Sequence, residues 1–98
     1  MEIIKNQENE KLTLLLEGRL DTNTAPQFEK EIAASTSGIK ELVLDMEKLE
    51  YISSAGLRVL LGTQKKMSGR GSLVIKNANA DTKEIFEITG FAGILKIE

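Results

Sequence analysis

Apolar residues along this chain fall into short continuous runs and longer helically spaced sets, and their alternation predicts the fold. Ile3-Ile4 opens a short strand, and the leucine-rich run from Lys11 to Gly18 makes a second. The polar residues Asn6 to Glu10 between them read as a turn, so the two runs form a hairpin. Thr24 to Gln27 fits a capping box, with Thr24 as N-cap, Gln27 at N3 and Pro26 in the first turn, where its missing N–H costs nothing. Ala25, Phe28, Ile32, Ala33 and Thr36 then give a narrow apolar helix face, closed by Gly38. Leu42-Val43-Leu44 is a compact apolar run between polar flanks, as expected of a central strand covered on both faces.

Leu57, Leu60, Leu61 and Met67 recur at helical spacing with Val59 alongside, and predict a second helix. Lys65, Lys66 and Arg70 gather at its C-terminal end, where cations complement the dipole, and Gly69 and Gly71 stop it. Ser72 to Lys76 reads as another strand. Asp81 to Glu84 is a second capping box, Ile85, Phe86 and Ile88 supply a third helix closed by Gly90, and Ile94 to Ile97 is a last short strand. The order β-β-α-β-α-β-α-β predicts an α/β fold, with a mixed β-sheet and helices packed mainly on one face. No repeat or linker divides the chain, so residues 1–98 form one domain.

Composition narrows the chemistry. The chain contains neither cysteine nor histidine, which removes thiol catalysis, disulfides, zinc sites with N/S ligands and histidine general-base chemistry together. A formal charge of −2, with no basic run and few aromatic residues, gives no reason to expect nucleic acid. No apolar run approaches a membrane span and no signal-peptide pattern opens the chain, so a cytoplasmic location is expected, with no membrane partner.

The candidate chemistry concentrates at Tyr51-Ile52-Ser53-Ser54-Ala55-Gly56-Leu57, where a strand gives way to a helix. A serine here can simply cap the helix, a contribution of about 1 kcal/mol. It can also take a phosphate, because a helix start offers unpaired N–H groups and the positive end of a dipole. Arg58 lies one turn on from Ser54, within reach of the same phosphate or simply solvated. Ala55 and Gly56 keep the helix start uncluttered, Gly56 either for close approach by a partner or for tight packing on the sheet. Asp21 and Asp45 lie at strand ends, where α/β sites form, but no third ligand or nucleophile is suitably spaced, so turn or cap roles are expected. Ser68-Gly69-Arg70-Gly71 lacks the lysine and hydroxyl of a phosphate loop and reads as a turn.

Leu42-Val43-Leu44-Asp45, a spacer with Leu49, and Tyr51 to Leu57 together resemble the signature of STAS domains, most closely the bacterial anti-sigma factor antagonists. Upstream, Gly18-Arg19-Leu20-Asp21 followed by Thr24 is similar to the family's early Gly-x-Leu-Asp segment. Downstream, Ile85-Phe86 and Thr89-Gly90-Phe91 are similar to its late helix and Gly-aromatic turn. The resemblance implies a single STAS domain that is a partner-switching regulator and not an enzyme, with no cofactor, metal or catalytic residue. It implies that the unphosphorylated form binds an anti-sigma factor that is also a serine kinase of the histidine-kinase-like ATPase type, which frees the sigma factor. Phosphorylation of Ser54 then ends binding, and a metal-dependent serine phosphatase resets it. The implied partner surface comprises Asp21, Thr22, Ser53, Ser54, Ala55, Gly56 and Arg58.

Two departures accompany the likeness. Many relatives carry Asp just before the acceptor serine, where this chain has Ser53, a second candidate acceptor. Many also continue into a C-terminal helix, whereas this sequence stops at Glu98, and weak homodimerisation through an exposed sheet face is expected as an alternative. Two other functions stay open on sequence alone. One is a constitutive STAS interaction module of a transporter or signalling complex, without phosphate control. The other is a small nucleotide-binding or hydrolytic protein using Asp21, Asp45 and the glycine turns.

Overall fold

The computed structural model describes residues 1–98, and its elements follow the expected order. They are β1 (Glu2–Glu8), β2 (Lys11–Leu20), α1 (Ala25–Ser35), β3 (Glu41–Ile52), α2 (Ser54–Met67), β4 (Ser72–Lys76), α3 (Ala80–Thr89), a short 3-10 turn (Phe91–Gly93) and β5 (Lys96–Ile97). The five strands lie in sequence order β1-β2-β3-β4-β5; β1 pairs antiparallel with β2, and every later pair is parallel. Each parallel step moves the same way across the sheet. Crossovers of one hand therefore deliver all three helices to the same face.

The core confirms this placement. Leu12, Leu42 and Leu73 form one row across the sheet, and Leu14, Leu44 and Ile75 form the next. All six join one buried cluster with Phe28 and Ile32 of α1, Leu57 and Leu60 of α2, and Phe86 of α3. Val43 and Val74 point the other way and are not part of that cluster, although both are buried. Leu42-Val43-Leu44 is thus buried on both faces as expected, but the cover on the Val43 side is not the helical core. No helix covers the second face, and Val43 and Val74 are flanked in their row by Thr13 and Lys96.

Several boundaries differ from the sequence reading. The segment Asn6 to Glu10 is not a turn as a whole, since β1 runs on to Glu8 and only Asn9-Glu10 turns, with Asn9 at φ 54°. β1 is an edge strand that buries almost nothing, so periodicity does not report it; its pairing from Glu2↔Glu17 to Glu8↔Lys11 does. Lys5 fastens it to α1 through Glu31 (3.3 Å) and Ser35 (3.2 Å). β3 is far longer than Leu42–Leu44. Beyond Asp45↔Lys76, its last pair with β4, it continues beside β2 alone and shifts register twice on the way to Leu20↔Ile52.

Neither capping box forms. Thr24 makes no side-chain cap bond, and Gln27 instead donates to the Met1 carbonyl at 3.1 Å. At α3 the cap is Asn79, whose side-chain oxygen accepts the Thr82 N–H at 2.8 Å, while Asp81 sits within the first turn. Gly90 does end α3, in the left-handed conformation that favours glycine. The last strand is only Lys96–Ile97, because Phe91–Gly93 winds into a 3-10 turn and Ile94 and Leu95 donate back to Phe91. No helix is long and apolar enough to cross a membrane.

Candidate functional site

β2 and β3 end side by side at Leu20↔Ile52, and each passes straight into a turn that starts a helix. Parallel pairing therefore brings Asp21 and Ser53 together although they are far apart in sequence. The Ser53 N–H donates to the Leu20 carbonyl at 2.9 Å and continues the ladder for one residue beyond the strand. Packing then fixes the height of α2 above the strand ends. A Cβ on Gly56 would stand 2.7 Å from Leu20 Cγ and 3.0 Å from Ile52 Cγ1, both in buried side chains. Of the two roles open to Gly56, the structure shows the packing one. Gly56→Ala should cost about 1–3 kcal/mol by overpacking. A chemical-denaturation midpoint equal to that of the native protein would contradict this.

Ser53 and Ser54 occupy different positions. Ser53 is the N-cap residue, extended at φ −101° and ψ 176°, but its side chain makes no cap bond. Its Oγ is buried and finds no partner. Ser54 is the first residue of α2 and is exposed. The cap role, offered for either serine, is therefore Ser53's by position alone. The first α2 amide to find a partner is that of Leu57, which donates to the Ser53 carbonyl at 3.0 Å. The amides of Ser54, Ala55 and Gly56 ahead of it are the free N–H groups of a helix start.

Across from α2, Asp21 organises the β2–α1 turn. Its Oδ1 accepts the N–H groups of Asn23 (3.0 Å) and Thr24 (3.1 Å), and its carbonyl accepts from Ala25 at 2.8 Å. The Thr24 hydroxyl accepts the Asp21 N–H and donates to the Arg19 carbonyl at 2.8 Å, which is why it does not cap α1. The Thr24 N–H is the main reason that the Asp21 carboxyl titrates below the ordinary aspartate value of 3.8; Asn23 and nearby Arg19 act in the same direction, against some desolvation. A depressed folded-state value makes the carboxylate a stabilising group above the unfolded value, and this is lost as pH falls through the folded one. Protection of the Asn23 and Thr24 amides, measured relative to their intrinsic exchange rates, should therefore fall on acidification below about pH 4, and Asp21→Ala should abolish that dependence. Unchanged protection at these amides across that range would refute the assignment.

Arg19 and Tyr51 face each other across the β2–β3 pairing, with the guanidinium 4.3 Å from the ring centroid and 3.8 Å from Asp21 Oδ2. Sequence reasoning passed over this pair. Each lies just before its strand's last residue, a signal that becomes legible only with the register known.

A shallow groove of about 180 Å³ runs beside the helix starts, between Thr22, Pro26 and Glu29 on one side and Ala55, Arg58 and Val59 on the other. Thr22, Ala55 and Arg58 thus share one groove; Ser54, the residue before Ala55, is exposed, and Gly56 is buried. Asp45 is not brought in. It is level with Leu15, about 20 Å of strand from Asp21. It lies inside β3 and not at a strand end, so the expected turn or cap role is corrected: it accepts from Glu47 N–H within the strand and from Asn77 Nδ2 beyond β4.

A strand–helix junction with a free-amide serine, set against an Asp-organised turn on a sequentially ordered mixed sheet, is the arrangement of a STAS domain. Residues 2–98 match the STAS domain model, and the chain belongs to that family. A Bordetella bronchiseptica protein named as an anti-sigma factor antagonist, BtrV, is 40% identical over 88 residues, which cover 88% of this chain and 76% of that one. Among solved structures, an anti-sigma factor antagonist from Mycobacterium paratuberculosis superposes with a TM-score of 0.89 at 22% identity, covering 98% of this chain and 83% of that one. SpoIIAA, a Bacillus cell-fate determinant solved in its phosphorylated form, superposes at 0.77 with 17% identity, covering 99% and 91%.

Proposed function

We propose that this chain is an anti-sigma factor antagonist whose binding is controlled by phosphate on Ser54. The observation that carries the reading is the exposed Ser54 hydroxyl at the first position of α2, beside free helix-start amides. In this reading the unmodified surface around Ser54, Thr22 and Arg58 binds an anti-sigma factor that is itself a serine kinase. The kinase moves the terminal phosphoryl group of a nucleoside triphosphate to Ser54 Oγ, leaving the diphosphate and releasing the hydroxyl proton. The new dianion sits in what was a contact surface, where it must be desolvated and where Glu29 of the adjoining groove repels it. A serine phosphatase restores the hydroxyl by hydrolysis.

Ser54 is preferred over Ser53 on access, since the Ser53 Oγ is buried and a kinase needs a free hydroxyl. The direct test is incubation with the anti-sigma kinase and ATP, read by intact mass. The native protein and Ser53→Ala should gain one phosphoryl group, and Ser54→Ala should gain none while still binding. Modification of Ser54→Ala to the native extent would refute the assignment. Stable binding with no modification of any variant would leave a constitutive interaction module as the function.

A further inference from the structure

The molecule has three arginines, and two are engaged. Arg19 stacks on Tyr51 and lies near Asp21; Arg70 donates to the Thr36 carbonyl at 3.2 Å. Arg58 has no such commitment. It is exposed and takes no part in the ion pairs Lys5–Glu31, Arg19–Asp21, Lys76–Glu98 and Lys96–Glu98. Glu29 lines the same groove but is not within ion-pair distance of it. Arg58 is also placed one turn after Ser54 on the same helix, so their Cβ atoms are about 5–6 Å apart, a span shorter than an arginine side chain. Beside the junction the buried Ser53 hydroxyl likewise has no partner.

We propose that Arg58 is a built-in phosphate clamp, closing its guanidinium on a phosphate at Ser54 and thereby withdrawing from the groove that a partner would fill. The inference rests on the Ser54 reading and adds a device to it. A guanidinium fork matches phosphate oxygens in a bidentate manner, and a phosphate carries roughly −1.5 to −2 charges. The free amides of α2 hold the phosphate from one side, and Arg58 approaches from the next turn. Modification then acts on a partner twice. It adds charge to the surface, and it removes the one uncommitted guanidinium that could meet a partner's carboxylate.

The test uses phosphoserine placed at position 54 during translation, so no kinase is needed. Phosphorus NMR then follows the second phosphate ionisation against pH. Asp21 and Glu29 raise its midpoint, while Arg19 and the helix amides lower it, and these stay constant across the variants. Arg58 should hold the midpoint lower than in Arg58→Gln by roughly 0.3–0.7 pH unit, the size expected of an exposed ion pair. Arg58→Lys should recover part of the shift, and Lys66→Gln, two turns further along α2, should leave the midpoint unchanged. Coincident titration curves for native and Arg58→Gln proteins would overturn the clamp. The Ser54 reading fails separately, if the phosphoserine protein binds the anti-sigma kinase as tightly as the unmodified one.

Discussion

Gly71→Ala should lower the melting temperature by more than about 10 °C. A Cβ at Gly71 would stand 2.0 Å from the Lys40 carbonyl oxygen, 2.7 Å from its carbon and 2.9 Å from its Cα. All three are backbone atoms, so no side-chain rotation relieves the clash. Lys40 cannot simply retreat either. Its N–H donates to the Glu10 carbonyl, and its carbonyl accepts the Ser72 N–H at 2.8 Å. These bonds align the starts of β2, β3 and β4, so moving Lys40 disturbs three strands at once. A cost of about 3 kcal/mol is a large part of the stability of so small a domain. Gly62→Ala is the control. Gly62 is helical with nothing near its missing Cβ, and alanine there should stabilise by up to about 1 kcal/mol. Similar melting curves for the two variants would show that the contact with Lys40 does not constrain the sheet.

Ser54→Asp should bind the anti-sigma kinase at least about a hundredfold more weakly than the native protein, equivalent to roughly 3 kcal/mol. The substitution places a carboxylate at the first position of α2, where the helix dipole and free amides favour an anion. The fold should therefore melt no lower than the native protein, and can gain about 0.3–1 kcal/mol. Affinity and stability should move in opposite directions, which a general loss of structure would not produce. Asparagine at the same position, similar in size but uncharged, should retain most of the binding. Titration calorimetry decides the matter, and equal affinity for the native and aspartate proteins would eliminate charge at Ser54 as the control.

The element order was legible because each helix carries its own apolar face and each inner strand its own run. What escaped the sequence depends on pairing rather than on local pattern. The second half of β3 reads as polar, since only Leu49 and Ile52 among its last residues are buried, and it is a strand because β2 lies beside it. β1 is hidden for the same reason. Capping went astray where hydroxyls and carboxylates compete: Thr24 fits the motif, but its oxygen accepts the Asp21 N–H, and Asp21 upstream accepts the Thr24 and Ala25 amides. At the serine pair the sequence located the junction but not its phase. One residue of helical phase separates a buried hydroxyl from an exposed one, and that phase is set by packing at Gly56 and the Ser53 N–H bond to Leu20.

The strictly sequential sheet also bears on how the protein is made. Every strand's partner is its neighbour in the chain, so the sheet can grow by addition at one edge as synthesis proceeds. Asp21, Ser54 and Arg58 are all carried by β2, α1, β3 and α2 and the turns between them. The strands and helix that follow brace this half without contributing a residue to the serine surface. The half that carries the serine junction leaves the ribosome first, and the remainder closes the row containing Leu44 and Ile75 behind it.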